Sequence, residues 1–190
     1  MTIERLLLFL GLYLFSAIPF GVIVSRLITK KDVRSQGSGN IGATNVSRMM
    51  GKKWGLLVLF LDALKGFIAT AVAGRFGYAE LGVLVSVFGH CFPVYLKFKG
   101  GKGVATSVGA LLGLNLALAL AAIGAFIFLF VISRRVSFGS LGAAFFVVVI
   151  GLVRPAMINP IMALALCALV WWRHKENIHR IIKGSEPKFF

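Results

Sequence analysis

The chain has 190 residues, 58% of them hydrophobic, with a mean hydropathy of +0.91. Apolar runs such as Leu6–Ile28 and Leu56–Ala73 approach the ~20 residues that carry a helix across a bilayer, which excludes an ordinary soluble domain. The net charge of +15 would suggest nucleic acid in a soluble protein. Here it fits basic cytoplasmic loops and attraction to anionic lipid or substrate, so no nucleic-acid partner is expected.

The fold class expected is all-α: a polytopic bundle embedded in the membrane as one domain over residues 1–190. The first span, about residues 5–28, reads as retained rather than cleaved, because Arg26 closes it and no small-residue cleavage pattern precedes the polar part. It contains SAIPFG (Ser16–Gly21), where Pro19 removes a helix hydrogen bond and predicts a kink. The polar segment Thr29–Lys53 is rich in glycine and small polar residues at its centre. It suits a surface or re-entrant loop closing over a site, with a short helix over Ala43–Met50 and Thr44 or Asn45 near its start.

The second span, about 54–74, carries Asp62 and Lys65 three residues apart. They share a helix face and can pair, since intramembrane charges are costly and face a bundle interior or a wet cavity. The pairing is read as structural support. The third span, about 79–96, runs into a corner with Lys97, Lys99 and Lys102 interleaved with Gly100, Gly101 and Gly103. Glycines can turn successive N–H groups toward one anion and lysines add charge without fixed geometry, so the corner predicts a phosphate site. A plain interfacial turn touching lipid headgroups is the other account.

The run from Val104 to Ile132 reads as one long helix or as two short ones turning at Gly113-Leu114-Asn115, and charge decides between them. Splitting it gives seven spans, the last two at about 138–153 and 155–172, with the N-terminus outside and the C-terminus cytoplasmic. Sixteen of the 21 Lys and Arg residues then lie inside and three (Arg5, Arg75, Arg154) outside, as the positive-inside rule requires. The tail, His174–Phe190, is polar, with Ile178, Ile181 and Ile182 at helical spacing, as an interfacial anchor would have. Cys91 and Cys167 lie far apart without metal-type spacing, and buried free thiols are the expectation for both.

Three polar or glycine-rich segments share the inner face on this topology: Ser35–Arg48, Lys97–Thr106 and His174–Lys188. They offer hydroxyls (Ser38, Thr44, Thr106), amides (Asn40, Asn45, Asn177), cations (Arg48, Lys102, Arg180, Lys183) and His174. Paired acids for glycosidase or two-metal chemistry are missing, as is a zinc set, so no metal or cofactor is expected. GGKG is not a phosphate-binding P-loop, since Gly103 follows the lysine where Ser or Thr is needed. The inventory describes anion recognition beside lipid: a lipid-headgroup enzyme, a lipid carrier or flippase, or a transporter of phosphate compounds. The lack of internal repeats and the one-sided placement of polar groups count against transport.

GSGNIGATNVSR (Gly37–Arg48), GHCFPVYLKFKGGKGVATSVG (Gly89–Gly109) and HKENIHRIIKGSEPK (His174–Lys188) closely resemble the three signature blocks of the bacterial acyl-phosphate:glycerol-3-phosphate acyltransferases, the PlsY family. SAIPFG, the Asp62/Lys65 pair and SLGAA (Ser140–Ala144) fit as well, and His179 is treated as incidental. The resemblance implies acyl transfer from acyl phosphate to the 1-hydroxyl of glycerol 3-phosphate at the cytoplasmic face of the bacterial inner membrane, giving lysophosphatidic acid and phosphate. It implies that Ser38 and Arg48 are required, that Asn177 is critical, and that Glu186 braces the tail. It also implies that the glycine-lysine block holds a substrate phosphate.

The wider set of phosphate contacts expected is Asn40, Thr44, Asn45, Lys97, Gly100, Gly101, Lys102, Gly103, Thr106, Arg180 and Lys183. An acyl phosphate is already activated, so positioning and charge neutralisation suffice. The leaving phosphate can take the hydroxyl proton, with His174 as the alternative base. The His-x4-Asp arrangement of other glycerolipid acyltransferases is absent: Tyr95 follows His90 at that spacing, and His179 follows His174.

Overall fold

A computed structural model describes residues 2–189, and every regular element among them is helical. Contacts divide the chain into two compact units, one running to Leu114 and one beginning at Asn115.

The first unit opens with α1 (Ile3–Ser16) and α2 (Phe20–Thr29). Sequence predicted one kinked helix here, but the structure interrupts it fully at residues 17–19. Pro19 caps α2 with φ −92° and ψ 75°, outside helical geometry, because its ring cannot follow a helical turn. A 3-10 turn at Val33–Ser35 lies in the polar loop that leads to α3 (Ala43–Met50) and α4 (Lys52–Gly74). Gly51, at φ 93°, makes the hinge between these two helices. α5 (Ala79–Cys91) is followed by a second 3-10 turn, Val94–Leu96, and by the glycine-lysine corner, and α6 (Val104–Leu114) closes the unit.

Glycine sets the spacing of this unit. Gly66 on α4 sits against the Thr106 carbonyl of α6, while Gly109 and Gly113 on α6 sit against the Ala63 and Phe67 carbonyls of α4. In lipid there is no hydrophobic drive between helices, so close backbone approach through small residues supplies the packing. Gly89 on α5 meets α1 at Tyr13 and Ser16 in the same manner.

In the second unit Asn115 caps α7 (Leu116–Ser133), its side chain accepting from the Leu118 N–H at 3.0 Å. The Val104–Ile132 run is thus two helices, and the capping asparagine is one of the three residues named from sequence as the turn. α8 (Val136–Val153) and α9 (Pro160–Arg173) follow, then α10 (Lys175–Ile182). The last apolar helix begins five residues later than predicted, because Asn159 caps it and Pro160 fits only its first turn.

Among the described residues, five segments are long and apolar enough to cross a membrane: Ile3–Thr29, Lys52–Gly74, Ala79–Leu96, Leu116–Ser133 and Val136–Val153. Val104–Leu114 and Pro160–Arg173 are shorter apolar helices. At 11 residues, α6 is roughly 16 Å long, about half the hydrocarbon thickness. Leu56, Phe60, Phe128 and Ile132 are more than 60% exposed, as side chains facing lipid would be.

The glycine seam makes a direct prediction. A methyl at Gly109 meets the Ala63 backbone, which cannot rotate aside, so Gly109→Ala should cost about 1–3 kcal/mol as overpacking does. Thermal unfolding in detergent should show it, whereas Gly124→Ala, with open space around it, should leave the transition in place.

Candidate functional site

The first polar loop is built around two side chains. Asp32 receives two bonds from the Arg34 guanidinium, Nε to Oδ1 at 3.0 Å and Nη2 to Oδ2 at 2.7 Å. Arg26 adds a third from Nη2 at 2.7 Å. The Arg34 bonds hold the Asp32 carboxyl well below the usual carboxylate range, against the smaller opposing effect of burial. Asn45 is 2% exposed. Its amide nitrogen donates to the carbonyls of Val33, Gln36 and Asn40, and its oxygen accepts the Ser38 N–H at 2.9 Å.

Ser38 therefore stands on a turn between Gly37 (φ 58°) and Gly39 (φ 68°), with its backbone pinned and its side chain exposed. Gly37 cannot be replaced freely, because a Cβ there would collide with the Asn45 amide. Arg48 is exposed on α3, and Thr44 is half-buried on its first turn. The Asn40 oxygen accepts the N–H of Gly42, the residue that precedes α3, at 2.9 Å. Sequence gave Asn45 a phosphate. The structure corrects this, since its amide is committed to the loop backbone.

The glycine-lysine corner also differs from expectation. The Gly101 N–H donates to the His90 carbonyl at 3.1 Å, and the Gly100 N–H to the Cys91 carbonyl at 3.2 Å. These are among the last carbonyls of α5, which a helix end leaves without internal partners. The two amides cap a helix and do not form an anion nest. The glycines are needed for contact: a Cβ at Gly100 would strike the His90 carbonyl, and one at Gly101 the His90 imidazole. Gly103, at φ 81°, packs on Val87 and Cys91. Lys97 and Phe98 are held at positive φ (52° and 62°) without being glycine, a local strain the surroundings must impose. Lys97 is exposed and Lys102 half-buried. Thr106 is fully buried in the α4–α6 seam, away from the loop surface where phosphate contact was predicted.

Behind the corner lies an ion pair inside the unit. Lys65 Nζ is 2.8 Å from Asp62 Oδ1, and both side chains are about 1–2% exposed. Lys65 also donates to the Ile18 carbonyl at 2.8 Å, at the break between α1 and α2. His90 Nδ1 lies 3.4 Å from the same Asp62 oxygen. Sequence reading named His90 only in ruling out a His-x4-Asp pair and gave it no role. A histidine in an apolar helix next to a glycine-rich corner, with an unexplained acid on another helix, was the available signal.

In the second unit Glu186 is the centre of a brace. Its Oε1 accepts from Ser137 Oγ and from Asn177 Nδ2, both at 2.6 Å, and its Oε2 from Arg180 Nε at 2.7 Å. Arg135 Nε donates to the Glu186 carbonyl at 3.0 Å. Asn177 and Arg180 thus hold the tail through Glu186, and Ser137 is a member that sequence did not identify. His174 is 2% exposed, and its Nδ1 is 2.8 Å from the Val170 carbonyl. A carbonyl only accepts, so Nδ1 carries the proton and Nε2 is the ring's basic nitrogen. Lys183 is exposed. Among the described residues no three His, Cys, Asp or Glu side chains group as metal ligands would.

Burial opposes the charge on Glu186, but the bonds from Ser137, Asn177 and Arg180 outweigh it and hold its carboxyl below the ordinary value. A depressed acid stabilises the fold above its unfolded value of about 4.3, and that contribution disappears as pH falls through the folded value. Glu186→Gln should lower stability at neutral pH by about 1.5–3 kcal/mol. It should also show a smaller drop than wild type when unfolding is followed from pH 7 down to about pH 3.

The sequence profile of the family described as Glycerol-3-phosphate acyltransferase matches residues 6–184. A glycerol-3-phosphate acyltransferase of Syntrophotalea carbinolica is 44% identical, the match covering 96% of each chain. One of Aquifex aeolicus is 40% identical over 98% of this chain and all of its own length. Two crystal structures of PlsY, an integral membrane glycerol 3-phosphate acyltransferase, are similar to this chain. The glycerol 3-phosphate form is 40% identical with a TM-score of 0.93, covering 98% of this chain and 96% of that one. The lysophosphatidic acid form is 39% identical with a TM-score of 0.88, covering 97% and 95%.

Proposed function

The chain belongs to the glycerol-3-phosphate acyltransferase family, an all-helical integral membrane fold, and from that premise we propose that its acyl donor is an acyl phosphate and its products are lysophosphatidic acid and inorganic phosphate. The glycerol 3-phosphate hydroxyl oxygen attacks the acyl carbonyl carbon. The bond from that carbon to the phosphate oxygen breaks, its electron pair leaves with phosphate, and a phosphate oxygen receives the hydroxyl proton.

One observation carries this reading. Among the described residues, three carboxylates are held by named partners: Asp32 by Arg34 and Arg26, Asp62 by Lys65, and Glu186 by Ser137, Asn177 and Arg180. A donor that brings its own leaving-group base needs no protein carboxylate, and orientation plus charge neutralisation supply the rate.

In this reading Lys102 holds the phosphate of glycerol 3-phosphate, with Lys97 adding charge at the rim. Ser38, pinned on its turn, and Arg48 orient and neutralise the acyl phosphate, with Thr44 and the Asn40 amide at the loop's edge. Asn177 positions the tail through Glu186, while the outer nitrogens of Arg180 and the Lys183 ammonium supply charge. Seven crossings with the N-terminus outside, and the reacting groups at the cytoplasmic face of a bacterial inner membrane, follow from the charge distribution.

Purified protein in detergent should release phosphate from acyl phosphate only when glycerol 3-phosphate is present, in equal amount with lysophosphatidic acid. Lys102→Ala should raise KM for glycerol 3-phosphate about tenfold or more, the loss of one charged hydrogen bond. Arg154→Ala should leave it unchanged. No release in detergent, or equal effects of the two substitutions, would contradict the reading.

A further inference from the structure

We infer that His90 is a positioning residue for the phosphate-holding corner: it transmits the fixed geometry of the buried Asp62–Lys65 pair to Gly100, Gly101 and Lys102. The inference rests on the reading that Lys102 holds the phosphate of glycerol 3-phosphate.

His90 is 3% exposed, near the C-terminal end of α5, and it touches the corner in two ways. Its backbone carbonyl accepts the Gly101 N–H at 3.1 Å, with the neighbouring Cys91 carbonyl accepting that of Gly100 at 3.2 Å. Its imidazole lies against Gly101 on the Nε2 side, so near that any Cβ on residue 101 would overlap the ring. The other nitrogen, Nδ1, lies 3.4 Å from Asp62 Oδ1. That oxygen is in turn fixed at 2.8 Å by Lys65, which also donates to the Ile18 carbonyl. The ring is therefore fitted between a carboxylate that cannot move and a glycine that cannot gain a side chain. Lys102, the next residue, has its backbone origin set by this contact.

A ring held this way governs where the Lys102 ammonium can reach, and it has no part in acyl transfer itself. It should therefore act on the affinity for glycerol 3-phosphate and leave the chemical step alone. His90→Ala should raise KM for glycerol 3-phosphate about tenfold with kcat and KM for acyl phosphate within about threefold. His90→Asn keeps an amide near the Nδ1 position facing Asp62 but leaves the Nε2 side empty, so it should give an intermediate rise. The decisive arm is compensation. Gly101→Ala alone should be severely impaired, and adding His90→Ala should restore much of its affinity for glycerol 3-phosphate, because the ring that the new methyl strikes is gone.

These variants are assayed as full-length protein in detergent, with thermal unfolding recorded for each. If His90→Ala does not fold, the His90→Asn kinetics and the comparison of Gly101→Ala with Gly101→Ala/His90→Asn decide the matter. Equal losses in kcat and in both KM values would overturn the inference, as would strictly additive effects of the two substitutions. Should Lys102→Ala also leave KM for glycerol 3-phosphate unchanged, the phosphate assignment fails with it. If Lys102→Ala raises that KM while the His90 variants do not, only the role of His90 is lost.

Discussion

A lysine and an aspartate buried together in a membrane helix cannot be left to chance partners. Lys65 and Asp62 are paired at 2.8 Å and almost wholly hidden. Removing one partner from such a pair leaves an uncompensated charge at a cost of about 3–5 kcal/mol. The pair is thus less a source of stability than a demand on everything around it. Lys65 takes up the Ile18 carbonyl where α1 breaks, so the interruption at Pro19 has a partner waiting. Asp62 takes His90 on α5, and through that residue the glycine-lysine corner. Four separated pieces of chain are referenced to one charged point.

Glycine makes this arrangement possible. Where α4 and α6 meet, Gly66, Gly109 and Gly113 let backbone touch backbone. At the corner Gly100 and Gly101 let the loop lie on the end of α5. The same residue type does two jobs in one unit, packing helices in the bilayer and seating a loop. Lys97, Lys99 and Lys102 stand among these glycines. The first loop uses a different device, with the Asn45 amide and the Asp32 carboxylate as its two fixed points. In the second unit Glu186 does similar work for the tail.

Much of the fold was legible in the sequence. The split at Gly113-Leu114-Asn115 followed from charge placement, and Asn115 proved to be the cap. The intramembrane Asp62/Lys65 spacing called for a pair at one turn's separation, and the pair is there. What could not be read was the use to which each polar group is put. Asn45 looks like a ligand because it is an asparagine in a glycine-rich loop, yet its four partners are backbone groups brought close only by folding. Gly100 and Gly101 looked like an anion nest, but the direction of an N–H depends on the helix end it faces. His90 was given no role because Asp62, which it faces, comes from another helix. Composition shows which groups are present, and tertiary contact determines which remain available for substrate.

The most direct test of this account follows the Gly100 and Gly101 amides themselves. Hydrogen exchange in lipid nanodiscs, read on peptides covering residues 98–103, should show these amides well protected in the wild-type protein. In Asp62→Asn, where Lys65 loses its counter-charge and His90 its anchor, that protection should fall sharply while amides at the start of α4 keep theirs. If the corner exchanges as slowly in Asp62→Asn as in wild type, the buried pair does not hold it and the account is contradicted.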